Sequence, residues 1–174
     1  MGQLKQLNLK YEPSEDRACL RISTGDQAEY RFWLTRRFVR ILWPVLIKLL
    51  EADDRVQSQP RTEARKTVLS FQHEHAVQSA DFSTGYQDEA TTFPLGSEPV
   101  LLTSIRAKRN PGGTPVLGLS GQGDRGVELA LSDQLLHSLC KLLADTAEKA
   151  EWQLGLKVVP DAPKSEEQPA RRLN

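Results

Sequence analysis

Near the start of the chain, apolar and polar residues alternate in three successive stretches. In LNLKY, Leu7, Leu9 and Tyr11 alternate with Asn8 and Lys10; in RACLRIS, Ala18, Leu20 and Ile22 alternate with Cys19, Arg21 and Ser23. In AEYRFWL, Tyr30, Phe32 and Leu34 alternate with Glu29, Arg31 and Trp33. A period of two sends neighbouring side chains to opposite faces of a strand, so each stretch predicts a strand with one buried face. The turns EPSED and TGDQ between them are short and rich in Gly, Asp, Pro and Ser, which predicts hairpins and antiparallel neighbours. At Thr35 the period changes. Phe38, Ile41, Leu42, Val45, Leu46 and Leu49 recur at three and four, the apolar stripe of a helix, with Thr35 placed to cap its N-terminus. Pro44 falls inside that stripe and predicts a kink, because it removes one backbone donor.

The same succession returns at residues 105–148. SIRAK, PVLGLS and GVELAL, separated by the turns RNPGGT and GQGDR, lead into LSDQLLHSLCKLLADTAEKA. Ser132 stands where Thr35 stands, and Leu135, Leu139 and Leu143 fall where Phe38, Leu42 and Leu46 fall. The expectation is an α+β protein of two β-β-β-α repeats, with one antiparallel sheet or two packed against two long amphipathic helices. Tyr30, Phe32, Leu129 and Leu131 are then core residues. Residues 1–53 form the first repeat and residues 100–153 the second. Residues 54–99 read as a linker insertion with a helix near 62–82, bearing Ala64, Val68, Phe71 and His75 on one side, with Leu69 and Ala76 assigned to the same side. Residues 154–174, charged and proline-containing, read as a disordered tail.

Composition narrows the class of partner. The 174 residues carry 23 basic and 23 acidic side chains, a formal net charge of zero, which argues against a surface built as a whole for a polyanion. Cys19 and Cys140 lie far apart without zinc or redox spacing, as suits a reducing cytoplasm. The start MGQLKQLNLK has no apolar signal region, and the apolar run at 38–50 is broken by Arg40, Pro44 and Lys48. The expectation is a cytoplasmic protein with no membrane partner.

Candidate chemistry is sparse. His73 and His75 flank Glu74; on a strand they would meet at one metal, but on a helix residues two apart diverge. His137 and Cys140 sit three apart on or beside an apolar stripe, where core packing explains both. Gly121 and Gly123 form a G-x-G without the lysine or helix start of a phosphate loop, and a hairpin turn accounts for them. No nucleophile motif is present. The expectation is no metal, no cofactor and no enzymatic activity.

The face of the strands opposite the core is the candidate binding surface. It carries Lys10, Arg21, Arg31 and Trp33 from the first copy and Arg106 and Lys108 from the second. Cations beside an aromatic ring suit phosphates and a stacked base. They equally suit a solvated face that resists edge pairing. The duplicated strand set followed by a helix resembles, in topology, the whirly and Pur-repeat single-strand-binding families. That resemblance implies nucleic-acid binding across the sheet. Each copy has three strands here, against four in those families, so no binding residue is carried over. The leading expectation is a non-enzymatic module acting through protein–protein contacts or self-association, because a stripe as wide as Leu42, Trp43, Leu46 and Leu50 leaves surplus apolar surface. The alternative is single-stranded nucleic-acid binding through the basic sheet face.

Overall fold

The computed structural model describes residues 3–161. Strands β1 (Leu4–Glu12), β2 (Arg17–Thr24) and β3 (Glu29–Thr35) form an antiparallel meander and lead into helix α1 (Arg36–Glu51). A short helix α2 (Asp54–Gln57), the long helix α3 (Thr62–Ser79) and a connection with little regular structure follow. Strand β4 (Val100–Leu101) then runs parallel to β3. Strands β5 (Ser104–Arg109), β6 (Pro115–Ser120) and β7 (Gly126–Ala130) form a second antiparallel meander and lead into α4 (Asp133–Lys149). The protein is thus α+β, with a sheet ordered β1-β2-β3-β4 and another ordered β5-β6-β7.

Two sheets serve one core. The chain at 100–109 passes from one sheet to the other: Leu102 N–H bonds the Trp33 carbonyl, and Thr103 N–H bonds the Ser120 carbonyl. Helices are exchanged across this joint, since α1 packs on β5 as well as β3, and α4 packs on β1. Tyr30, Phe32, Leu129 and Leu131 are all buried in a single cluster that draws on both sheets and α1, α3 and α4. Arg109 pins the joint. Its guanidinium donates to the Leu49 carbonyl at the end of α1 at 2.8 and 3.0 Å and to Asp133 at the start of α4 at 3.1 Å. A cation at a helix C-terminus meets both its unsatisfied carbonyls and the negative end of its dipole.

Both caps form as their sequences imply. The Thr35 hydroxyl accepts from Phe38 N–H at 3.2 Å, and the Ser132 hydroxyl accepts from Leu135 N–H at 3.1 Å. α1 continues through Pro44, which stands on its exposed side.

Three expectations need correction. Among the described residues there are three long helices rather than two beside the sheets: α3, where a helix near 62–82 is expected, has 18 residues and is longer than α1 with 16 or α4 with 17. The apolar breadth of α1 is not surplus: Leu42, Leu46 and Leu50 are buried and Trp43 is half-buried, because β3, β5, α3 and α4 all close on this helix. The expected tail begins too early. Val158 is buried and Leu154, Leu156 and Val159 pack against the core, continuing from buried Trp152 just before them. Trp152 also donates from Nε1 to Asp16 at 2.8 Å and meets the edge of the Tyr11 ring. The rest of that expected tail, 162–174, lies outside the described residues.

Candidate functional site

The outer face of the first sheet is built by strand register. Arg21 stands opposite Arg31 and Cys19 opposite Trp33, while Ser23 faces Glu29. This is the face on which the sequence places cations and a tryptophan, and the structure covers half of it. Residues 86–93 cross the sheet beside β3, held at one end by hydrogen bonds from Thr91 and Thr92 N–H to the Gln27 carbonyl. They bring Tyr86, Asp88 and Phe93 onto the arginines.

At the centre lies Glu29, whose side chain is 1% exposed. It accepts from Arg21 at 2.9 and 3.1 Å, from Arg31 at 2.5 Å and from the Tyr86 hydroxyl at 2.6 Å. Burial alone would raise its pKa, but the hydrogen bonds from Arg21, Tyr86 and Arg31 outweigh burial and hold the carboxyl below its ordinary value. For Arg21, burial acts to lower the pKa, and the hydrogen bonds to Glu29 and Asp88 more than offset it. Burial, then Glu29, pushes the Tyr86 hydroxyl up. Each guanidinium also lies over a ring: Arg21 over Tyr86 at 4.2 Å, Arg31 over Phe93 at 4.7 Å and Arg17 over Trp33 at 4.8 Å. Arg31 donates further to the Ser97 carbonyl.

An open groove of about 600 Å³ remains between this covering segment and the sheet, lined by Cys19, Arg21, Glu29, Arg31, Trp33 and Phe93 among others. Of the six surface residues expected from the sequence, the structure therefore brings Arg21, Arg31 and Trp33 together. Lys10 is exposed on β1, opposite Cys19 and outside the groove lining. Arg106 and Lys108 lie on the other sheet, both exposed, with Lys108 paired to Glu128 at 3.5 Å. The expectation of a bare cationic face fails at Arg21 and Arg31. Two carboxylates, Glu29 and Asp88, offset their two charges.

Glu29, Tyr86, Asp88, Phe93 and Arg17 were missed as parts of this surface. Glu29 was legible, since it shares strand and parity with Arg31 and sits diagonally across from Arg21, where opposite charges attract. Tyr86, Asp88 and Phe93 come from a stretch without periodicity, and nothing local assigns them to this sheet.

The histidines separate. His75 lies on the exposed side of α3 and stacks on Phe71, with centroids 6.3 Å apart. His73 turns inward, and its Nδ1 lies 3.1 Å from Nδ1 of His137 on α4. Among the described residues no group of three or more His, Cys, Asp or Glu is arranged to hold a metal ion. Cys140 is buried, which pushes its thiol up to about 12, and burial also raises Cys19. No helix among the described residues is long and apolar enough to cross a membrane.

Comparison of the chain with protein-family models, with curated proteins and with solved structures finds no match.

Proposed function

We propose that this protein is a non-enzymatic binding and assembly module that acts through protein–protein contacts. The observation that carries the reading is Phe71. Its ring is 68% exposed at the middle of α3, on the face opposite buried Leu69 and Ala76. Half-buried Val68, which packs against the core, and exposed His75, which stacks on the ring, flank it at helical spacing. Ile41 on α1 and Leu101 beside Trp33 add exposed apolar side chains at 48% and 44%. Two free cysteines fit a cytoplasmic setting for such a module. The two β-β-β-α units, with matching strand order, direction and caps, are read here as copies of one ancestral unit.

The runner-up, single-strand nucleic-acid binding across the first sheet in the manner of the whirly and Pur-repeat families, loses support from Glu29. Long-range attraction of a polyanion needs uncompensated cations, and here a buried carboxylate is bonded to both arginines. Titration of a fluorescent single strand at two salt concentrations, with light scattering alongside, tests the ranking. The expected result is weak binding that Trp33→Ala and Arg31→Ala leave unaltered, while Phe71→Ser reduces association of the protein with itself or with a cross-linked partner. Micromolar binding at physiological salt that both sheet variants abolish, with folding intact, would reverse the order.

A further inference from the structure

α3 is held more lightly than the other long helices. It buries only two residues, Leu69 and Ala76, against six in α1 and eight in α4. No side chain caps its N-terminus. An element with so little buried surface opens at lower free-energy cost than the domain as a whole. Its polar fastening to α4 is the His73–His137 contact, with ring centroids 5.2 Å apart and His137 only 4% exposed.

Two imidazole nitrogens at 3.1 Å need one hydrogen between them. A neutral pair supplies it when one ring is the Nδ1–H tautomer and donates to the lone pair of the other. A singly protonated pair supplies it equally well. A second proton removes the acceptor: both Nδ1 atoms then carry hydrogen, and two positive rings face each other in a buried site.

The surroundings offer no spare counter-charge. Asp53 and Arg55 act on His137 from the α2 side, Asp133 from α4, and Lys141 of α4 and Glu74 of α3 act on His73. Asp53 already accepts from Arg55 and Gln72. Asp133 is held by Arg109 and Arg55, Lys141 by Asp145, and Glu74 is exposed. The charged residues of the other packed elements, Arg36, Arg37, Arg40, Lys48 and Glu51 on α1 and Lys5 and Lys10 on β1, are exposed, and Glu12 accepts from Ser14 at the far turn.

We propose that the His73–His137 contact is a proton-operated latch. With at most one proton shared between the facing nitrogens it holds α3 on α4, and with both rings protonated it releases α3 while the sheets stay folded. Burial, and then the charge of His73, pushes His137 down to about 4, and burial followed by Lys141 lowers His73, so the closed form prevails at neutral pH and acid opens it. Release would free the helix that carries Phe71 and expose its inner residues Leu69 and Ala76.

Hydrogen exchange followed by mass spectrometry tests this on the full chain between about pH 7.5 and about pH 4.5, after correction for intrinsic rates. In the wild type the opening constant of α3 should rise by up to about a hundredfold per pH unit where opening takes up two protons, with the sheets still protected. In His73→Gln the rise should not exceed about tenfold per unit, because only His137 remains to take up a proton. In the double variant with His137→Gln it should vanish. A wild-type α3 with the same pH dependence as the double variant, or α3 and the sheets opening in one step, would overturn the latch. Should the double variant not fold, His73→Gln decides: a slope equal to wild type overturns the proposal and a reduced slope supports it.

Discussion

The two sheets present outer faces that look alike in sequence and differ in space. On the first, Arg21 and Arg31 are cross-strand neighbours; on the second, Arg106 and Lys108 alternate along β5. The first pair is roofed by residues 86–93 and tied to a buried carboxylate, whereas Arg106 and Lys108 stand in solvent. Strand parity therefore assigns a face but not what covers it. Cover changes the energetics completely, because a buried ion pair becomes costly to break while an exposed one contributes almost nothing.

The largest expected effect follows from that contrast. Glu29→Ala removes the buried carboxylate that two half-buried guanidinium groups share, leaving Arg21 only the exposed Asp88, and should lower stability by about 3 kcal/mol, at the low end for a broken buried pair because both arginines reach solvent. Glu128→Ala, which removes the exposed partner of Lys108, should leave the urea midpoint unchanged. Equal losses at the two sites would break the comparison.

Acid should separate the regions in sequence. His73 and His137 have depressed values in the fold, so the unfolded chain binds more protons below about pH 6.5. Their contribution is full above that pH and is lost as pH falls toward about 4. Glu29 is depressed too, so its contribution is full above the ordinary value of 4.5 and is lost only below it. Melting temperature against pH should therefore fall in two stages, and Glu29→Gln should reduce the lower stage alone, which it shares with the depressed carboxyls of Asp16, Asp53 and Asp81. A single stage centred below pH 4 in the wild type would contradict the assignment of the upper one to the histidines.

Smaller effects test where the two halves agree. Thr35→Ala and Ser132→Ala each remove a hydroxyl that satisfies a helix N–H, and each should cost about 1 kcal/mol in chemical denaturation. Losses that match would extend the likeness of the two units from pattern to energetics. A neutral Ser132→Ala would limit it to pattern.

The three alternating stretches and the switch of period at Thr35 and Ser132 made the strands, the hairpins and both caps legible. A period of two or of 3.6 is a local property that any packing must respect. The same reasoning placed Phe71 and His75 together on α3 but set them on the side of Leu69 and Ala76, which in fact face inward while Phe71 points out. A stripe with only moderate contrast between its faces leaves the choice of buried side to the neighbours. The surplus once expected on α1 disappeared for a related reason: a helix shared by two sheets needs a stripe wider than one sheet can cover.

From its sequence alone this chain determines the order, direction and inner faces of the strands in each meander, the starts of α1 and α4, and the divergence of His73 from His75. Each depends on residues within a few positions of one another. Only the tertiary structure decides that Glu29 is buried beneath Tyr86, that His73 meets His137, and that Arg109 closes α1 against α4. Those partners lie 57, 64 and 60 residues apart, and no periodicity spans such separations. They come together because burying apolar surface is non-directional and fixes which elements meet, after which the polar groups caught at each junction must find partners there.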